Sequence, residues 1–263
     1  MKPSYQGAVA RHLLSLYEKA VRFHTPWEEG VRYRFTAFHL HRYQRDLLTL
    51  LRSQVSPGTA FFDVGANIGY ISRAVSRWMS AEGSVTAFEP NPKVFPLLQR
   101  NCAHLKNVRL HNLAVGDAEG KLTLSYRDDH TGEASLVKLP GDLVSKTSEV
   151  AVVRLESYLS RVAAGQKVFM KIDVEGFELP ALRGLGSSRP EGIAAEYNPR
   201  WQRAAGFAPQ EFYDWFSTRG YRLHLLASGG ALMPLDGASF LGQVETTKEA
   251  DSFDCIALLT IPT

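Results

Sequence analysis

Two stretches of the chain gather residue types that do chemistry. "DVGANIG" (Asp63 to Gly69) sets glycines at both ends of a turn directly after an apolar run, and "KIDVEGFE" (Lys171 to Glu178) sets Asp173 and Glu175 directly after another. A glycine turn between a strand and a helix lets the chain bend sharply and lets a ligand approach the backbone. The helix start behind it offers unpaired N–H groups to a carboxylate or a phosphate. No Gly-Lys-Ser/Thr ending follows Gly65, so a P-loop is excluded. Asn67 stands where a dinucleotide fingerprint has its middle glycine, and the third glycine is missing, which weakens a pyrophosphate site. The remaining candidate is S-adenosylmethionine, which carries no phosphate and asks for polar groups around an amino-acid tail, a ribose and an adenine. Glu89 ends the run "SVTAFEP" twenty positions after Gly69, where an acid accepts both ribose hydroxyls of either adenosine cofactor. Asn112 and the Ala114 backbone, in "HNLAVGD", are placed to edge an adenine; a turn cap is the plain alternative for Asn112.

These residues need a frame. The chain has 263 residues, 44% hydrophobic, enough for one large core. From Gly58 onward, short apolar runs alternate with amphipathic segments, the pattern of βαβ units around a parallel sheet. Seven strands are expected, at Thr59 to Val64, Ser84 to Pro90, Val108 to Val115, Lys167 to Val174, Gly192 to Asn198, Tyr221 to Ala227 and Phe253 to Ile261. Asn91 and Pro92 are expected to open the helix after the second strand. The last two strands are expected to pair antiparallel, with no helix between them. An insertion from Lys121 to about Val153 reads as two alternating strands around a polar middle that holds His130 and Ser135. Ahead of the sheet, two helical stretches within 1–55 form a cap, and 56–263 form the main domain.

Charge and cysteine content narrow the class further. A net charge of +3 is too small to argue for nucleic acid, and the excess of base lies in the first 60 residues, where nine Lys/Arg face four Asp/Glu. "NPRW" after the fifth strand lacks the second proline of the amino-methylating nucleic-acid enzymes, and no basic aromatic groove accompanies it. Two cysteines, Cys102 and Cys255, give no disulfide framework and fit a reducing compartment. No apolar run is long enough to span a bilayer, and the charged N-terminal stretch has no signal-peptide core, so a cytoplasmic protein without membrane contact is expected. A homo-oligomer is compatible with this composition.

Taken in order, "DVGANIG", "AFEPNP", "LAVGDAEG" and "KIDVEGFELPALRGL" resemble the FkbM-type methyltransferase family over about residues 55–197. The resemblance implies a Rossmann-like, seven-stranded class I methyltransferase sheet of order 3-2-1-4-5-7-6, strand 7 antiparallel, with helices on both faces. It implies S-adenosylmethionine as cofactor and a hydroxyl of a natural-product or sugar intermediate as acceptor. It places Asp63, Gly65, Ala66, Asn67 and Gly69 around the methionine portion, with Ser72 grouped beside them. Glu89 falls on the ribose, Asn112 to Ala114 on the adenine, and Asp173 facing the transferred methyl.

A hydroxyl is a poor nucleophile and needs a base or a metal. Alternation along an extended segment points Asp173 and Glu175 to one side, where either can take the hydroxyl proton or fix the acceptor. His130, in a loop above the strand ends, is the imidazole candidate for that base. The metal alternative has Asp173, Glu196 and Asn198 holding Mg²⁺ through hard oxygen ligands. A nicotinamide-dependent oxidoreductase and a non-catalytic methyltransferase-like binding protein are the competing classes.

Overall fold

Strand β1 (Ala60–Val64) reads AFFDV, and all five side chains are buried. A strand that is covered on both faces cannot alternate apolar and polar, so it belongs in the middle of a parallel sheet. In the computed structural model, which describes residues 44–126, 134–137, 146–248 and 251–260, it lies there. It pairs in parallel with β2 (Ser84–Phe88) on one side and β7 (Val168–Ile172) on the other. Asp63 is directly opposite Lys171 in this register, so two charged residues face each other inside an apolar run.

The chain runs outward from β1 through β2 to β3 (Val108–His111), then returns to build the other half with β7 and β8 (Gly192–Tyr197). The direction of winding therefore reverses between β1 and β7, the crevice where open α/β sheets bind ligands. Beyond β8 come β11 (Phe253–Leu259), antiparallel to both neighbours, then β9 (Tyr221–Leu226) and β10 (Leu232–Leu235). The full order is β10-β9-β11-β8-β7-β1-β2-β3, a mixed sheet of eight strands.

Two corrections to the sequence reading lie in this closing region. The sheet has eight strands rather than seven, because Leu232–Leu235 adds to the outer side of β9. Pro234 is tolerated there because an edge strand needs no N–H on its free side. The connection to β11 also contains a helix, Gly237–Thr246, which buries Phe240 and Val244. Its start is fixed by Asp236, whose carboxylate accepts from Ser239 N at 2.8 Å.

The helix after β2 starts later than expected, at Phe95 rather than Pro92. Asn91 is 1% exposed, and its side chain accepts from Lys93 N at 3.0 Å, so residues 91–94 are held as a turn. Numbering the helices in order gives α1 (Arg45–Gln54), α2 (Tyr70–Ser76), α3 (Phe95–Cys102), α4 (Glu156–Leu159) and α5 (Glu178–Arg183). They are followed by α6 (Pro199–Ala204), α7 (Pro209–Ser217) and α8 (Gly237–Thr246). Of the N-terminal cap expected over 1–55, residues 1–43 lie outside the described residues.

Each face of the sheet has its own core. Leu47, Leu50 and Leu51 of α1 pack with Phe61, Ile71, Val75 and Phe169 on one face. On the other, Tyr197, Phe212, Phe240 and Phe253 form an aromatic cluster, Tyr197 meeting Phe212 and Phe240 edge to face, with Phe216 and Tyr221 beside it. Truncating one such ring costs about 3–5 kcal/mol. The insertion makes a second sheet in which β6 (Lys146–Val153) is flanked by β5 (Gly120–Tyr126), antiparallel, and by the two-residue β4 (Ala114–Val115), parallel. Because β4 directly follows β3, this small sheet stands beside the strand ends that carry the site. No helix among the described residues is long and apolar enough to cross a membrane.

Candidate active site

The glycine turn after β1 is held to β2 by its backbone. Gly65 N and Ala66 N both donate to Phe88 O, at 3.0 and 2.9 Å. Gly65 has φ +76°, and a Cβ there would lie 1.8 Å from Asp173 O, so only glycine lets the β7 loop come this close. Asn67, at φ 50°, turns the chain left-handed while its Oδ1 accepts from Ile68 N at 2.7 Å. Asparagine is among the few residues that tolerate that region.

Glu89 is bound into the same turn. Its two oxygens accept from Asn67 N at 2.8 Å and Asn91 N at 2.9 Å, and the residue is 6% exposed. Burial pushes its carboxyl up to about 7, against the downward pull of those two N–H groups and of Lys171. Next to it the cavity wall is Phe88, Pro90, Leu113, Ala114 and Val115. Asn112 lies behind that wall: its Nδ2 donates to the carbonyls of Glu89 and Pro90, at 2.8 and 3.1 Å, so it shapes the loop and is not among the lining residues.

Beneath the turn is a buried ion cluster. Lys171 Nζ donates to Gly65 O at 2.7 Å, pairs with Asp173 Oδ2 at 3.1 Å and lies 3.8 Å from Asp63 Oδ1. Burial works to neutralise this amine, but the carboxylates of Asp173, Asp63 and Glu196 outweigh it and hold the ammonium above its ordinary range. Asp63 is fully buried, which raises its carboxyl despite Lys171 and the Ser72 hydroxyl, which donates to Oδ2 at 2.5 Å. Asp63 and Ser72 thus support the turn from below and line no part of the cavity.

Asp173, after β7, reaches the cavity with Glu175, and Glu196 joins them from β8; their carboxylate oxygens lie within 4.8 Å of one another. The loop that carries the first two is tightly specified. Glu178, 2% exposed, accepts from Val174 N at 3.0 Å, Gly176 N at 3.2 Å and the buried Gln202 side chain. Burial raises its carboxyl to about 7. Glu175 takes φ 50°, and Gly176 takes φ +95° with its Cα against Trp201. Ser135, from the insertion, donates to Glu175 O at 2.6 Å and brings Ala134 and Leu136 onto the cavity wall.

Of the expected metal set, Asp173 and Glu196 meet, but Asn198 Oδ1 is occupied by Arg200 N and Trp201 N, at 3.0 and 3.2 Å, as the cap of α6. Glu175 takes the third place in the cluster. Three carboxylates are the donor type a hard divalent cation takes, although Asp173 is also committed to Lys171. His130 lies outside the described residues.

The turn, Glu89 and Asp173 all line one cavity of about 360 Å³, together with Tyr70, Trp201 and Gln44. Reading the sequence alone missed Lys171 and Gln202. Lysine in the run "VFMKIDV" was the available signal, because a charged residue is almost never fully buried unless it is paired.

Comparison with known proteins fits this geometry. Among curated proteins, Methyltransferase 1 of Beauveria bassiana is 31% identical over 142 residues, 47% of this chain and 57% of that protein. Methyltransferase sdnD of Sordaria araneosa is 26% identical over 178 residues, covering 56% of this chain and 68% of its own. The hexuronic acid methyltransferase AglP of Haloferax volcanii is 24% identical over 145 residues, with 55% and 57% covered. The matches thus span under two thirds of the first and third of these relatives. The family model described as the methyltransferase FkbM domain matches residues 63–223. That span exceeds half of the chain and contains the glycine turn, Glu89, the buried lysine, the acids after β7 and Glu196 of β8, and by it the chain belongs to the FkbM family of methyltransferases.

Proposed function

We propose that this chain transfers a methyl group from S-adenosylmethionine to a hydroxyl of a small molecule, a natural-product or sugar intermediate. The observation that carries the reading is that one cavity joins a clasped, buried acid to the methyl-facing acids. Glu89, Asp173, Glu175 and Glu196 all line it. Glu89 keeps lone pairs for two vicinal ribose hydroxyls while its own backbone partners hold it in place. The Phe88, Pro90, Leu113 and Ala114 wall suits an adenine, and Gly65, Ala66 and Asn67 of the turn suit the amino-acid tail; Gly69 lies off the cavity, against Leu98 and Cys102.

When bound, S-adenosylmethionine supplies an electrophilic methyl on a sulfonium. The protein's task is then to hold a hydroxyl in line with it and to accept the proton. Asp173 or Glu175 takes that proton, and Trp201 offers the acceptor an aromatic face. A second reading rests on the close approach of Asp173, Glu175 and Glu196: these would hold Mg²⁺, which would lower the pKa of a coordinated hydroxyl. The relative named for hexuronic acid places a sugar among the acceptors worth trying first. The protein is read as cytoplasmic, with no nucleic acid or membrane as partner.

The test is transfer of radiolabelled methyl from S-adenosylmethionine into a library of hydroxylated metabolites, with and without a chelator. Label in an ether linkage supports the reading. Label only in amines, or none in any acceptor while the cofactor still binds, contradicts it. Loss of activity in chelator with rescue by Mg²⁺ selects the metal branch.

A further inference from the structure

We propose that Lys171 is a positioning residue that fastens the glycine turn to the Asp173 carboxylate, so that the cofactor-holding and methyl-facing parts of the cavity keep one fixed separation. The proposal rests on the methyltransferase reading above. Lys171 is the last residue but one of a central parallel strand and is 5% exposed, a position where its neighbours in sequence, Met170 and Ile172, are fully buried and apolar. An apolar residue would fill that place at lower cost, since desolvating a charge is penalised and pairing it only offsets the penalty.

The lysine reaches across the strand ends to residues far away in sequence. One N–H goes to Gly65 O at 2.7 Å, a bond between residues 106 apart in the chain. A second meets Asp173 Oδ2 at 3.1 Å. The third faces Asp63 Oδ1, at 3.8 Å, a buried oxygen without a hydrogen-bond partner among the described residues. Two of the ammonium's three donors are taken in this way and the third is drawn to Asp63 by charge, beyond hydrogen-bond distance; Lys171 borders the cavity, and its role is to place other groups rather than to touch the reacting atoms.

What Lys171 places is the cavity's two working parts. Gly65 O is the carbonyl at the start of the turn; fixing its direction fixes the peptide plane from which the turn leads to Asn67 N and so to Glu89. The Asp173 backbone is already tied to β1 through Asp173 N to Val64 O, at 3.1 Å, so Lys171 adds control of the carboxylate itself. The charge of Glu196, on the adjacent strand β8 and another acid of the cluster, also acts on the ammonium.

Lys171→Met keeps the aliphatic stem and removes the three donors, but it leaves Asp63 buried without its counter-charge and is expected to lower stability. Asp63→Asn combined with Lys171→Met removes both charges and separates the two roles. Binding of S-adenosylhomocysteine by calorimetry, kcat and KM with a responsive acceptor, and the melting temperature are measured for wild type and both variants. Expected in Lys171→Met are cofactor affinity lowered by about 10-fold and kcat by about 100-fold, with acceptor KM within about two-fold. In the double variant the melting temperature recovers, while affinity and kcat stay low. Recovery of affinity and kcat along with the melting temperature would mean that Lys171 only neutralises Asp63, and would overturn the proposal. So would a single variant within about two-fold of wild type in both quantities. Wild-type protein that binds no S-adenosylhomocysteine would instead sink the cofactor reading, and this proposal with it.

Discussion

The two walls of the cavity are held by different kinds of bond. Along the ends of β1 and β2 the wall is backbone fixed to backbone and to one acid: Gly65 N and Ala66 N on Phe88 O, Asn67 N and Asn91 N on Glu89. Across from it, beyond β7 and β8, the wall is made of side chains drawn from separate elements. Asp173 and Glu175 come from one loop, Trp201 from α6, Ser252 from the segment before β11, and Leu136 from the insertion. A wall of backbone is specified by a few glycines and a left-handed asparagine, and it presents the same surface whatever surrounds it. A wall of side chains can be changed one residue at a time. The first arrangement suits a ligand that never varies, and the second suits an acceptor that does. Under the proposed function, cofactor recognition is assigned to the first wall and acceptor choice to the second.

The heaviest blow to that division is a side chain at Gly65. Gly65→Val combines a positive φ with a Cβ 1.8 Å from Asp173 O, so the turn and the β7 loop cannot both stay in place. Loss of S-adenosylhomocysteine binding by more than about 1,000-fold is expected, with destabilisation of about 3 kcal/mol. Calorimetry and thermal melting read both; retained binding would show that the backbone wall is not the cofactor wall. Next in size is Asp173→Ala, for which kcat should fall by about 1,000-fold, the scale of a lost general base. Single-turnover methyl transfer measures this directly, and near-normal turnover would remove Asp173 from the chemistry.

Glu89→Ala should weaken S-adenosylhomocysteine by about 100-fold, the worth of two hydrogen bonds to a charged group. The same residue gives the cavity a pH dependence. With its carboxyl raised from the ordinary 4.5 to about 7, Glu89 is protonated in the unliganded protein below neutrality. Affinity should accordingly climb between about pH 6 and 8 and level off above that range. Stability moves the other way. Between 4.5 and about 7 the folded chain keeps protons on Glu89 and Glu178 that the unfolded chain releases, so the melting temperature of the unliganded protein should fall as pH rises through that window. Calorimetric titrations and melts at matched ionic strength check the two slopes, and parallel slopes would contradict the assignment. The smallest effect is expected on the other wall. Trp201→Ala should raise acceptor KM by about 10-fold and leave cofactor affinity within about two-fold. A larger loss in cofactor affinity than in acceptor KM would dissolve the distinction between the walls.

The backbone wall was also the more legible of the two in the sequence. Its signals are local: an apolar run, a glycine turn and an acid at a fixed distance identify Gly65, Asn67 and Glu89 without any tertiary information. Asp173 and Glu175 are found in the same way, by their place after a strand. Lys171 escaped because its partners, Gly65 and Asp63, lie more than a hundred positions upstream and meet it only once β1 and β7 pair. Asn198 spends its side-chain oxygen on the backbone as a helix cap, and Asn112 spends its amide on two carbonyls, the turn-holding alternative that its residue type had left open. Helix α8 was missed because Gly237 and Gly242 mask its periodicity, although Asp236 as a cap and Phe240 with Val244 four residues on were there to be read. Strand β10 was hidden by Pro234, a residue that argues against a strand unless the strand is at an edge.

What the backbone wall holds is read out by calorimetric titration of the full chain with S-adenosylhomocysteine and, separately, with NAD(H). One S-adenosylhomocysteine per chain, weakened about 100-fold by Glu89→Ala and unaffected by Trp201→Ala, with no heat from NAD(H), is the predicted result. Saturable binding of NAD(H) with none of S-adenosylhomocysteine would contradict it.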